Sequence, residues 1–271
     1  MFDIKSSVDW VSMEIRAQTT LNLASANISL PSGRVQAEGI VEGEYVHLIR
    51  PILLNIPVDS SHTVADLLNV RELNAANLDA LSRPAHKTPP ALSKDMGYMQ
   101  VSYTVSLKAV GASLLRHTRP SSIRQPLSTV KAPVYTGVII IASGSLPVHG
   151  GRTASLVQPC IFPKIWDTDM NLIYERSMTE PDRSKGGIVK YVPEEAVFRS
   201  TPSGMDGELE AFVGKNPLRI IARGVFGMNP TDPVIDRSDA LLMLSSDENI
   251  NLLRHARVVF VLDQGALNAS Y

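Results

Sequence analysis

A single cysteine, Cys160, stands in 271 residues, so no disulfide within the chain can hold the fold. Aromatic residues make up only 6%, and neither sign of charge dominates: Lys and Arg number 26 against 27 Asp and Glu, a formal net charge of −1. A near-neutral chain lacks the basic footprint that holds nucleic acid by its phosphates, so no nucleic-acid partner is expected. No run approaches the roughly 18 apolar residues that a membrane-spanning helix needs, so no transmembrane segment is expected. The amino terminus, MFDIKSSVDWVSMEIR, has no basic start followed by an apolar core and shows no signal peptide. Cys160 lies too far into the chain to anchor a lipid at a processed end. The six histidines (His47, His62, His86, His117, His149 and His255) are scattered, without HxH, HExxH or Cys/His spacing, and no metal site is expected from them.

What is present is an ordinary globular composition, 44% hydrophobic and 20% charged, enough to bury a core. Residues 11–23 alternate strictly and predict a half-buried strand with Trp10 at its start. Ser32 is placed to cap a helix running to about Ile49, with Val35, Ile40, Val41, Tyr45, Leu48 and Ile49 as its stripe. A strand is expected over Ile52 to Val58 and a second helix from about Thr63 to Leu81. Arg83 to Asp95 reads as a proline-rich loop. Residues 98–108 alternate again, and this alternation argues for antiparallel pairing with one face in solvent.

Arg116 to Pro133, rich in Pro, Ser and basic residues, marks a linker between an N-terminal domain, 1–115, and a C-terminal domain, 134–271. The second half opens on a buried strand, Tyr135 to Ala142. Cys160 to Trp166 and Leu172 to Tyr174 flank a turn and predict a hairpin. Residues 180–215 read as irregular and exposed. A strand over 217–226 follows, then a helix capped by Asp236 or Ser238, a second short helix and a closing strand over 257–262. The fold class expected is α+β: two small mixed domains with mostly antiparallel strands.

Three constellations invite a chemical reading. The glycine-rich loop from Ser143 to Ser155, SGSLPVHGGRTAS, has the glycines of a phosphate cradle but neither GxxxxGK[ST] nor GxGxxG, and reads as an exposed loop. Cys160 and His149, with Asp167 or Asp169 as orienter, are the pieces of a cysteine nucleophile. The plainer reading is a small apolar cysteine buried in a strand. Asp167, Asp169 and Asn171 alternate as calcium ligands do, but Leu172 stands where such a loop needs glycine and the closing glutamate is missing. A polar hairpin turn fits better. No catalytic residue, cofactor site or metal site is assigned, and the chain is not expected to be an enzyme.

Several blocks of the second half recur in order in a known family. They are Thr136-Gly137-Val138-Ile139-Ile140-Ile141-Ala142-Ser143-Gly144, Pro159 through Asp167 with Leu172-Ile173-Tyr174, Asn216-Pro217-Leu218, Thr231-Asp232, Asp239-Ala240, and Asn249 through Asp263. Trp10, Gly33-Arg34, Ala37-Glu38 and Val58-Asp59-Ser60 continue the likeness in the first half. On these blocks the chain resembles the FlgP-like envelope proteins, flagellar assembly lipoproteins of bacteria. It departs from their pattern at Ser143, in an inserted segment from Pro147 to Leu156, and at Asp236. The resemblance implies a non-enzymatic structural or assembly protein of the periplasm, associated with the flagellum. It implies protein partners in that assembly, and a homo-oligomer among the forms expected. A hydrolase-type enzyme built on the 143–169 loops and Cys160 is the alternative function, and the cytoplasm is the alternative location.

Overall fold

A computed structural model describes residues 2–126, 130–198 and 204–270. The chain divides into two units. The first comprises residues 1–56, 64–110 and 268–271; the second comprises 57–63 and 111–267. Neither unit is continuous in sequence, because the short loop 57–63 belongs with the second and the last residues with the first. The expected linker contains 127–129, which lie outside the described residues. Its described part has no regular structure and runs along the second unit, where Ser121 bonds Ser177 and the Gln125 amide donates to Asp247.

The first unit is an antiparallel sheet under a long helix. Its strands are β1 (Phe2–Asp9), β2 (Glu14–Asn22), β3 (His86–Lys87), β4 (Ala91–Leu92), β5 (Tyr98–Ser106) and β16 (Asn268–Ser270). They run in the order β16-β1-β2-β5-β3, with β4 also on β5. The alternation read from the sequence is the pleat itself. Ile15, Ala17, Thr19 and Leu21 of β2 and Met99, Val101, Tyr103 and Val105 of β5 are buried, while their neighbours face outward. Helix α1 (Arg34–Leu54) covers the apolar face, with Ala37, Val41, Tyr45, Ile49, Ile52 and Leu53 buried. Tyr45 lies against Tyr103 at 4.0 Å between ring centroids. The helices α2 (Val64–Asn69), α3 (Ala75–Leu81) and α4 (Leu107–Leu114) complete the helical elements up to residue 114.

Four expectations change here. The region 52–58 is not a strand. Ile52 and Leu53 lie three and four residues beyond Ile49 and continue the buried stripe of α1, while Pro51 occupies its exposed side. The helix follows Gly33, and no side chain caps it. The second helix breaks into α2 and α3, the latter capped by Asn74, whose side chain accepts the Asn77 N–H. A strand absent from the sequence reading, β1, pairs with β2 along its length. Its polar residues Lys5, Ser6 and Ser7 hid it.

The second unit has a four-stranded parallel sheet at its centre. Its strands are β6 (Val138–Ile141), β11 (Lys190–Pro193), β12 (Leu218–Ile221) and β15 (Val258–Leu262), in the order β11-β15-β6-β12. Antiparallel pairings predominate over the chain; the strands of this sheet, and β14 (Asp232–Ile235) with β9 (Ile165–Asp167) in the smaller sheet described next, pair in parallel. Its runs VIII and VVFVL do not alternate, as expected of strands buried on both faces. On one face Ile139, Val192, Val259 and Val261 pack with Leu209 and Val213 of α6 (Gly207–Val213). A smaller sheet, β10-β9-β14-β13, is formed by β9 (Ile165–Asp167), β10 (Leu172–Tyr174), β13 (Gly224–Phe226) and β14 (Asp232–Ile235). The run 217–226, expected as one strand, is thus β12 and β13 in two different sheets. The hairpin β7 (Leu146–Pro147)–β8 (Ala154–Ser155) carries the glycine-rich loop.

The region 180–215, expected to be irregular and exposed, contains α5 (Pro181–Ser184), β11 and α6, with 199–203 outside the described residues. Helices α7 (Arg237–Met243) and α8 (Asp247–Arg254) lead to β15 as expected, and α9 (Gln264–Leu267) follows it. Asp236 precedes α7 without a side-chain capping bond, whereas Ser246 caps α8. Among the described residues no helix is long and apolar enough to cross a membrane.

Gly227 of the second unit is tightly enclosed and has φ +119°. A β-carbon there would fall 2.4 Å from both the Asn229 carbonyl oxygen and Ser60 Cβ. Gly227→Ala is expected to lower stability by about 2–4 kcal/mol through overlap and backbone strain. Gly39→Ala, on the exposed side of α1 with nothing within 4 Å, is expected to raise it by about 0.5–1 kcal/mol. Urea unfolding of the two variants, followed by circular dichroism, measures both signs.

Candidate functional site

Two of the blocks singled out in the second half meet at one buried carboxylate. Asp232 opens β14 and has no exposure. Its Oδ1 accepts the Lys164 backbone N–H at 3.1 Å and the Thr231 hydroxyl at 2.9 Å, and its Oδ2 accepts the Trp166 indole N–H at 3.2 Å. Burial pushes the Asp232 pKa up, and these bonds, with one from the Ser60 side chain, work against that shift. Thr231-Asp232 and the Pro163–Asp167 block are therefore two halves of one joint. The loop 57–63 closes it: Ile161 N–H donates to the Pro57 carbonyl, Phe162 N–H to Val58 and Asn229 N–H to Ser60.

Cys160 sits beside this joint. It is buried and precedes β9, so it is not a strand residue as expected. Burial, with Asp232 nearby, drives its pKa well up, away from the thiolate that a nucleophile requires. The Tyr191 hydroxyl bridges its backbone, donating to the Cys160 carbonyl at 2.8 Å and accepting the Cys160 N–H at 3.0 Å. His149 lies on the exposed β7–β8 turn with its ring edge-on to Phe226. No hydrogen bond joins it to Cys160 among the described residues. The pieces of the nucleophile are not assembled.

The alternating Asp167, Asp169 and Asn171 build a turn. Asp167 Oδ1 accepts the N–H groups of Asp169 (3.0 Å) and Asn171 (2.7 Å), and its Oδ2 accepts the Asn171 side-chain amide at 2.8 Å. Asp169 pairs outward with Arg237. Among the described residues no group of three or more His, Cys, Asp and Glu side chains is arranged to hold a metal ion.

The remaining blocks also make internal bonds. Thr136 and Asn216 exchange hydrogen bonds, the Thr136 N–H to the Asn216 carbonyl and the Asn216 N–H to the Thr136 hydroxyl, each at 3.0 Å. Gly137 is glycine because a β-carbon there would meet Val213 at 2.7 Å. Buried Asn249 accepts the Tyr135 N–H at 2.9 Å and donates to the Pro133 carbonyl and the Ser245 hydroxyl.

Open parallel sheets commonly bind ligands at their carboxyl ends. Here the loops at that end bond to one another. Ser143 bonds Glu194, the Gly144 N–H donates to Asp263 at 2.8 Å, and Arg223 pairs with Asp236 at 2.6 Å. The glycine-rich loop makes a hairpin beside β13, where the His149 N–H donates to the Val225 carbonyl. Sequence reasoning missed the bridging role of Tyr191 and the place of Ser60, whose only signal was the Val58-Asp59-Ser60 block.

An unfolded aspartate titrates near 3.9. With a raised folded-state pKa, the native chain holds the Asp232 proton more tightly. The stability this contributes is complete below the unfolded value and is lost as pH rises through the folded one. Urea midpoints measured from about pH 3.5 upward should carry this falling component in the unmodified chain and lack it in Asp232→Asn. Superimposable profiles would contradict the assignment.

Comparison with family models matches both units. Residues 1–113 match the N-terminal domain of Treponema pallidum Tp0624, and residues 137–264 match the second domain of the same protein. The two domains follow one another here in the same order, and the family these matches indicate is that of Tp0624. They do not tie the chain to FlgP-like proteins or to the flagellum. Comparison with curated proteins gives no match.

Proposed function

We propose that this chain, similar to Tp0624 in both matched domains, is a non-enzymatic structural or assembly protein of the bacterial cell envelope, working in the periplasm through contacts with other proteins. The observation that carries this reading is the use of its signature residues. Asp232, Asp167, Asn249 and Asn216 all make internal hydrogen bonds, and Cys160 is buried with its thiol held protonated. Side chains that do chemistry must reach a substrate, whereas these are engaged with their own backbone and neighbours among the described residues. Function on such a scaffold belongs to its surface. Association with the flagellum is the finer part of the proposal and rests on the FlgP-like blocks.

The test is localisation of a tagged copy at native level, together with swimming of the deletion strain. The proposal expects an envelope fraction, and the flagellar part expects impaired motility without a metabolic defect. A uniform cytoplasmic signal would overturn the envelope role. Normal swimming with an envelope signal would remove the flagellar part alone.

A further inference from the structure

One cleft of the second unit gathers four charges that do not pair with one another. It has a volume of about 70 Å³ and is lined by Asp59, Phe162, Lys164, Glu175 and Arg176. The four charged residues, two of each sign, are half-buried, and Phe162 forms a buried apolar wall. Among the described residues no ion pair joins any of the four to another. Each is held by a separate partner instead. Asp59 Oδ1 accepts the N–H groups of Ser61 at 2.8 Å and His62 at 2.9 Å, with the His62 ring Nδ1 at 3.0 Å. Glu175 accepts the Ser177 hydroxyl. The Arg176 guanidinium lies 5.2 Å from the centre of the Phe162 ring, a cation–π contact, and the Arg176 carbonyl accepts the Thr179 hydroxyl at 2.8 Å. The Lys164 N–H donates to Asp232, which fixes where its side chain leaves the backbone. A partly desolvated charge without a counter-charge is costly, so neighbouring charges of opposite sign ordinarily close on each other. Here their partners hold them apart around an opening.

We infer that this cleft binds the zwitterionic headgroup of a free α-amino acid. The ammonium lies against Asp59 and Glu175, the carboxylate against Lys164 and Arg176, and the α-carbon against the Phe162 ring. A simple anion would meet the two carboxylates, and a simple cation would meet Lys164 and Arg176. A neutral ligand would leave all four charges uncompensated. An α-amino acid carries both charges on one carbon and compensates both pairs at once. A peptide of several residues separates its two termini by roughly 3.3–3.6 Å for each residue when extended, too far for one opening of this size. The volume is also far below the roughly 300–1,000 Å³ of sites that enclose a drug-sized ligand, so the cleft takes the headgroup and leaves the side chain outside. Asp59 belongs to the loop 57–63, and Lys164 to the block that meets Asp232, so the ligand would bridge two parts of the same joint. The site goes beyond the proposed envelope role and does not depend on it.

The experiment is an NMR titration of the isotope-labelled full chain with glycine and L-alanine, the smallest carriers of this headgroup. Acetate and methylamine serve as half-ligands that each lack one charge. Glycine and L-alanine are expected to shift the amide signals of Asp59, Phe162, Lys164 and Arg176 and to saturate below about 50 mM. Acetate and methylamine are expected to bind at least about tenfold more weakly, because each compensates one pair of charges and meets the other. Two variants give effects of opposite sign. Glu175→Gln should weaken glycine about tenfold and bind acetate more tightly, since it removes an anchor for the ammonium and a repulsion for the carboxylate. Arg176→Gln should weaken glycine and acetate alike. Circular dichroism verifies that both variants are folded, and the comparison of half-ligands on the unmodified chain needs no variant. The inference is overturned if glycine and L-alanine leave these signals unmoved up to about 50 mM. It is equally overturned if acetate or methylamine binds as tightly as glycine, or if Glu175→Gln binds glycine as the unmodified chain does.

Discussion

A carboxylate shut away from water must be hydrogen-bonded or protonated, and much of the second unit answers that demand at Asp232. Its partners come from separated stretches of chain: Lys164 and Trp166 in and before β9, Thr231 beside it, and Ser60 from the loop 57–63. Drawing these together fixes the parallel contact between β14 and β9. It also brings Ser60 against Gly227, where only glycine fits. Phe226 then stacks edge-on to Trp166 at 5.5 Å. The Thr-Asp and Lys-Ile-Trp-Asp blocks are therefore joined in the fold, because the donors of one meet the acceptor of the other.

How much of this was legible in the sequence depended on periodicity. The alternation of 11–23 and 98–108 read out as β2 and β5 because one face of that sheet is buried and the other is not. The apolar runs of β6 and β15 read out as buried strands, but their parallel pairing did not, since pairing direction leaves no trace in a run of valines and isoleucines. Strand β1 was missed because Lys5, Ser6 and Ser7 blur its alternation. The end of α1 was misplaced because the apolar run from Ile52 to Val58 was read as a strand, whereas Ile52 and Leu53 continue the buried stripe of the helix past Pro51. The mixed composition of 180–215 concealed α6, whose Leu209 and Val213 contribute only two core residues.

The candidate residues show the same division. Cys160 was legible as a buried small residue, and its surroundings were not, because Tyr191 lies 31 positions away. The calcium-like spacing of Asp167, Asp169 and Asn171 was legible as a turn from the missing glycine. The Asp232 joint was visible only as a motif. Its meaning required knowing that Trp166 and Lys164 lie across from it. On the reading proposed above, the interior of this protein sets its shape, and its work is done by what that shape presents at the surface.

The most direct test of that account is a double-mutant cycle on the stability of the second unit between Trp166→Phe, which removes the indole donor, and Asp232→Ala, which removes its acceptor. If the joint organises the fold as described, the two changes interact, with a coupling of about 1–3 kcal/mol. If their effects simply add, to within about 0.5 kcal/mol, the carboxylate is not the link between these blocks and the account is wrong at its centre.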